Sequence, residues 1–217
     1  MAYHKTERVL AKSQETRERI LQAVLQLVGE GGWRAVQIAS VAEIAGVATG
    51  SVYRYFPDKG GLLAQAYGYH TAHETAVVGA ITDAGGPALE RLEAAIRTFA
   101  QRARRGPKLA YAMLAEPSDI QVEAARLDHH ARFTTHIRAI LDSGVAAGEL
   151  QCADTALVAT CIVGALRESL AGPLATQPPE PLPAGRRKGA AARPDGIDTL
   201  CAFCLGALRP APPRKTP

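Results

Sequence analysis

The densest set of polar side chains with a shared use lies between Thr49 and Lys59. Thr49 and Ser51 carry hydroxyls, Tyr53 and Tyr55 phenols, Arg54 a guanidinium and Lys59 an ammonium. None forms a nucleophile and base pair, so the chemistry they suit is recognition. Phenols and cations bind phosphate oxygens, and short hydroxyls at a helix start reach base edges. Gly50 lets a sugar-phosphate chain come close. Lys59 opens a helix, where its ammonium and free backbone N–H groups can meet one phosphate together. Other chemically capable residues are more scattered. His70 and His73 have metal-ligand spacing on one helix, yet no Cys or carboxylate partner can be assigned to them. Asp128-His129-His130 and His136 lie on another helix. Cys201 and Cys204 form a CxxC on the apolar seam of a helix, with no second CxxC. They are read as structural thiols, and no metal site is expected.

The Thr49–Lys59 set needs a rigid mount, and the stretch from Val36 to Phe56 supplies one. Ile38, Val41, Ala42 and Ala45 recur at helical spacing. Gly46 then breaks the helix, because a residue just past a helix end commonly adopts positive φ. Val47 follows as an apolar plug, and a second short helix runs from about Thr49 to Tyr55. This pattern predicts a helix-turn-helix, whose second helix lies in a DNA major groove. The alternative is a surface turn between two core helices.

The run Gly46-Val47-Ala48-Thr49-Gly50-Ser51-Val52-Tyr53-Arg54-Tyr55-Phe56-Pro57-Asp58-Lys59, followed by Leu62-Leu63, resembles the signature of the TetR (tetracycline-repressor-like) regulators. Ile20-Leu21-Gln22-Ala23 and Gly31-Gly32-Trp33 fall where that family has its first helix and the turn after it. The resemblance covers roughly Thr16 to Tyr67 and is architectural beyond. Ala48 stands for the usual serine, Gln37 for a Ser/Thr helix start, Gly60 for a common glutamate and Val52 for leucine. Ala48 and Gln37 cap the reading helices less well. The resemblance implies DNA contacts from Gln37, Ala48, Thr49, Gly50, Ser51, Tyr53, Arg54, Tyr55 and Lys59. It implies a homodimer pairing through a four-helix bundle, two helices from each chain, here residues 154–171 and 195–208. It also implies a small-molecule effector held in an apolar cavity between the fourth and eighth helices. Candidate lining residues are Tyr67, His70, Phe99, Tyr111, Met113, Leu114, Phe133, Ile137 and Arg167, with Arg97 and Glu116 as further charged groups.

Composition agrees. The 217 residues carry a net charge of +4 and a pI of about 9.0, suited to a polyanionic partner. No N-terminal apolar run of signal type and no run of ~18 consecutive apolar residues is seen. A cytoplasmic protein without membrane contact, its cysteines reduced, is expected.

The expected fold is all-α, about nine helices. Residues 1–57 form a three-helix DNA-binding domain, of which 1–12 are a flexible basic arm. Residues 58–217 form a helical ligand-binding and dimerisation domain, with a loop at about 173–194 and a tail at 209–217. Trp33 is expected under the three-helix core. The fourth helix, capped by Asp58, runs to about Thr82 with Leu62, Leu63, Ala66, His70, His73, Val77 and Ile81 inward. Gly60-Gly61 in its first turn is read as a soft joint. Residues 118–147 form a long helix with two apolar stripes: Ile120, Ala124, Leu127 and Ala131 on one, Phe133, Ile137, Ile140 and Gly144 on the other. Residues 154–171 are apolar almost all round and end at Gly172-Pro173. Arg186, Arg187, Lys188 and Arg193 make a basic run. A helical small-molecule-binding protein or enzyme that does not bind DNA is the weaker alternative, and the enzyme fares badly, since the chain has no nucleophile elbow, phosphate loop, paired metal-binding motif or compact acid–base set; no cofactor is implied. A non-specific DNA coat fits poorly with so small a basic surplus. An activator on the same fold is not separable from a repressor by sequence.

Overall fold

The computed structural model describes residues 2–175, 196–206 and 208–210. The expected loop from residue 176 onward, its basic run and the end of the tail lie outside the described residues. Among the described residues nine α-helices follow one another: α1 (Ala2–Gly31), α2 (Ile38–Ala45), α3 (Thr49–Tyr55), α4 (Lys59–Thr82), α5 (Ala88–Arg105), α6 (Pro107–Leu114), α7 (Ile120–Ala146), α8 (Thr155–Ala175) and α9 (Gly196–Gly206). A 3-10 turn at Trp33–Ala35 links α1 to α2. Two residue pairs, Leu150 with Pro210 and Gln151 with Arg209, form the antiparallel β1–β2 ladder. The fold is all-α, as the periodicity predicts.

The chain packs as two compact units, residues 1–73 with 108–129 and residues 74–107 with 130–217. The division by packing falls inside α4 and α7 rather than at the expected Pro57/Asp58 junction, so α6 packs with the first unit.

In the first unit, α1 packs on α2 and α2 on α3. Ile20, Val24, Val28, Val36, Val41, Val52, Phe56 and Leu62 make its core. Trp33 is buried there as expected, 2% exposed, with its Nε1–H donating to the Ala112 carbonyl at 2.9 Å. The expected arm is a correction: α1 starts at Ala2, because residues 2–12 hold no glycine or proline to stop it. Val9 and Leu10 stand exposed on that extension.

In the second unit, α5 packs on α8 and α9, and α8 on α9. The α9 seam of Ile197, Leu200, Cys201 and Cys204 is buried within this one chain. Burial pushes the Cys201 thiol up, and the Cys204 thiol up to about 11. Both are free thiols on the buried face of α9. Two stripe assignments and one helix end are corrected. On α4, Tyr67 and Val78 are buried while His73 is exposed. On α7 the Phe133, Ile137, Ile140 stripe is buried, but Ile120 and Leu127 are 79% and 73% exposed. On α8 the helix runs past Gly172-Pro173 to Ala175, since one missing N–H in a last turn does not stop it.

Helix α8 buries Ala159, Ile162, Leu166 and Leu170 and leaves Leu157 and Cys161 exposed. Its window Thr155–Gly172 has a mean hydropathy of 1.3 with 28% buried, so by length and composition it could cross a membrane. A helix that apolar with an uncovered face wants a partner.

Candidate nucleic-acid interface

The turn between α2 and α3 is built as the glycine predicts. Gly46 sits at φ 64° and ψ 41°, in the left-handed region. Its N–H donates to the Glu43 carbonyl at 3.1 Å, and the Val47 N–H reaches back to Ala42 at 2.9 Å. This pair of bonds is the Schellman closure, and it satisfies carbonyls that the helix end would leave bare. Val47 is half-buried against the core and sets the angle at which α3 leaves.

Helix α3 buries one side only. Val52 and the following Phe56 point into the core, while Ala48, Thr49, Gly50, Tyr53 and Arg54 are exposed and Ser51 is half-buried. Tyr53 is 49% exposed, so its hydroxyl is open to a partner. A Cβ at Gly50 would meet nothing within 4 Å, so the protein itself does not need a glycine there. Neither Gln37 before α2 nor Ala48 before α3 makes a side-chain cap bond. The Ser51 N–H donates to the Ala48 carbonyl at 2.8 Å, and no side-chain cap takes the N–H groups that precede it, which suit another acceptor such as a phosphate oxygen.

Tyr55 differs from its neighbours. It is half-buried, its hydroxyl takes a long hydrogen bond of 3.4 Å from Ser13 on α1, and Arg54 lies over its ring at 5.2 Å. The Ser13 bond leads the causes that lower its pKa. It ties α3 to α1 as well as standing near the surface.

Lys59 opens α4 and is half-buried. Beside it, Asp58 Oδ1 accepts the Gly61 N–H at 2.7 Å, the expected cap, and also accepts from Gln121 Nε2 at 3.1 Å. A Cβ at Gly60 would come within 2.8 Å of Asp119 Oδ1 and Gln121 Nε2. Gly60 thus seats the start of α7 against α4, a packing reason that the soft-joint reading missed.

Glu116 and Arg126 complete the support. The Trp33 N–H donates to both Glu116 carboxylate oxygens at 3.2 Å. Arg126 donates to the carbonyls of Met113 at 3.0 Å and Glu116 at 2.8 Å. Glu116 is therefore a brace for the turn before α2, not a free charge in a ligand cavity. Arg97 is likewise engaged, bonded to Glu93 and Asp198, which hold its pKa above the ordinary value. Sequence reasoning missed Arg126; a lone arginine on a helix carries no periodic signal.

The expected ligand set divides between the units. Tyr67, His70, Tyr111, Met113 and Leu114 belong to the first, where Tyr67 lies 6.4 Å from Trp33 and 6.1 Å from His129 as core packing. Phe99, Phe133, Ile137 and Arg167 belong to the second. There the Phe99 and Phe133 rings pack tilted at 56° with centroids 4.9 Å apart, Ile137 is fully buried and Arg167 stands exposed on α8. Among the described residues no group of three His, Cys, Asp or Glu could hold a metal ion.

The model of the bacterial regulatory proteins of the tetR family matches residues 20–66, and the tetracyclin repressor-like C-terminal domain matches residues 85–170. The transcriptional repressor KstR of Mycolicibacterium smegmatis is 40% identical over 99 residues, 46% of this chain and 48% of that protein. The chain thus matches about half the length of this curated relative. FadR of Bacillus halodurans, a fatty acid degradation regulator, superposes with a TM-score of 0.69 at 19% identity, covering 88% of this chain and 99% of that one. FadR of Bacillus subtilis, solved with stearoyl-CoA, gives 0.64 at 22% identity over 71% and 85%. At such identity these two likenesses speak for the fold.

Proposed function

The chain belongs to the TetR family of bacterial regulatory proteins, and from that premise we propose that it is a sequence-specific, DNA-binding transcriptional repressor. The observation that carries this is the one-sided burial of α3. Val52 is anchored in the core while Thr49, Gly50, Tyr53 and Arg54 face outward beside two uncapped helix starts. Thr49 and Ser51 read base edges, and Tyr53, Arg54 and Lys59 hold phosphates.

The protein acts as a homodimer. Leu157 and Cys161 on α8 and Phe203 on α9 are exposed, and α8 is apolar beyond what its own unit covers. A second copy is the economical cover, and two-fold symmetry then requires a roughly palindromic operator with half-sites about one helical turn apart. A small molecule relieves repression by binding better to the state whose reading helices do not fit successive grooves. Such coupling is typically ~1–3 kcal/mol. The effector is apolar or amphipathic and meets Phe99, Phe133 and Ile137, parting the two phenylalanine rings. The stearoyl-CoA of the B. subtilis FadR structure fits that class without choosing the compound.

The test is selection of bound duplexes from a random pool by the purified protein at two salt concentrations. An inverted repeat that survives the higher salt is the expected result. Binding without enrichment, lost steeply as salt rises, would mean contact by charge alone and would sink the repressor reading.

A further inference from the structure

We propose that the first unit carries a second recognition site, for a small organic anion with a short apolar tail, and that its occupant competes with DNA for Lys59. A cleft of about 400 Å³ opens where the Trp33–Ala35 turn, the start of α4 and the segment after α6 meet. That is the lower range of small-molecule sites. Trp33, Leu63 and Pro117 give it an apolar lining, and Arg34 and Lys59 line it with positive charge. Among the described residues neither cation takes part in an ion pair or side-chain hydrogen bond. The lining also includes Ser118, whose Oγ is shut from solvent and has no hydrogen-bond partner. A buried hydroxyl left unmatched is rare and marks a place where a partner is missing. Asp119 lines the same cleft, with its Oδ1 already accepting the Gln121 N–H at 2.9 Å.

Two unpaired cations against one engaged carboxylate favour an anion, and the ring and aliphatic surfaces favour an apolar tail. Turned about its Cα–Cβ bond into the cleft, the spare hydroxyl offers a directional bond to a carboxylate or phosphate oxygen. None of the cleft residues belongs to the effector set around Phe99 and Phe133. The site is therefore distinct from the one proposed above. The binding stands on these residues alone. The competition rests, in addition, on the reading of Lys59 as a phosphate contact.

The experiment is calorimetric titration of the full chain with hexyl phosphate, inorganic phosphate and hexanol, without DNA. Hexyl phosphate is expected to bind saturably, one per chain, inorganic phosphate about tenfold more weakly and hexanol not at all. Arg34→Gln should weaken hexyl phosphate about fivefold and Ser118→Ala measurably, while Asp119→Asn should tighten it. No saturable heat, or equal affinity in Arg34→Gln and Asp119→Asn, would overturn the site. Arg34 and Asp119 are both exposed, so these variants leave the core untouched. Hexyl phosphate should then release duplex DNA from the wild type at the concentration that fills the cleft. Filling without release would overturn the competition. Failure of the protein to bind any duplex before hexyl phosphate is added would instead count against the repressor reading, which the titration does not use.

Discussion

At the scale of single residues, Tyr53 and Tyr55 show how much of the interface two positions can decide. Both read from the sequence as phenols for phosphate, yet residues two apart on a helix do not share a face. Tyr53 is exposed and Tyr55 is half-buried against Ser13. Tyr53→Phe should therefore weaken duplex binding for all sequences alike, and Tyr55→Phe should do so less. Lys59→Ala should also weaken every duplex and lower the salt dependence by about one counterion. Thr49→Ala and Ser51→Ala should shift sequence preference instead. Anisotropy titrations against the selected operator and a scrambled duplex check all of these. A uniform loss across the whole set would remove Thr49 and Ser51 from base reading. The outward set of α3 was legible because a short amphipathic helix has one clear polar face. The inward turn of Tyr55 was not, since it depends on Ser13, 42 positions earlier.

At the scale of elements, local signals were read well and distant contacts were not. Gly46 ends α2 with the bonds its position predicts, because the closure involves only its own helix. The glycines opening α4 look alike in sequence but differ in their surroundings. A Cβ at Gly61 meets Asp58 at an ordinary 3.4 Å, whereas one at Gly60 displaces Asp119 and Gln121. Gly61→Ala should stabilise the protein by about 1 kcal/mol through helix propensity. Gly60→Ala should gain much less, because Gln121 must give up Asp58, a bond worth ~1 kcal/mol. Urea unfolding of the pair measures the difference. Equal gains would mean that the start of α7 does not depend on Gly60. No local reading of residues 58–61 contains Gln121, so this contact was invisible in the sequence.

At the scale of the whole molecule, apolar helices had been assigned to a partner copy, and the structure divides them. The α9 seam goes to α5 and α8 of the same chain, including both cysteines of the CxxC. Helix α8 is split, with Ile162 and Leu166 inward and Leu157 left out at 59% exposure. Hydropathy alone gives how apolar a helix is, not which neighbour takes each face. Leu157→Asp should leave the fold intact and shift the protein from dimer to monomer in sedimentation, with loss of binding to an inverted repeat. In the dimer Cys161 should resist alkylation, and in Leu157→Asp it should react. A Leu157→Asp protein that still sediments as a dimer would place the interface elsewhere.

The division of the chain into two units also divides its chromophores. Trp33 and all six tyrosines, at positions 3, 53, 55, 67, 69 and 111, fall within residues 1–73 and 108–129. The other unit contains neither tryptophan nor tyrosine. Intrinsic emission therefore watches one half of the molecule, while far-ultraviolet ellipticity counts helices in both. Heating a single sample and following both signals asks whether the halves melt together. Coincident curves would make this one cooperative body, and separated curves would give each half its own melting temperature without cutting the chain.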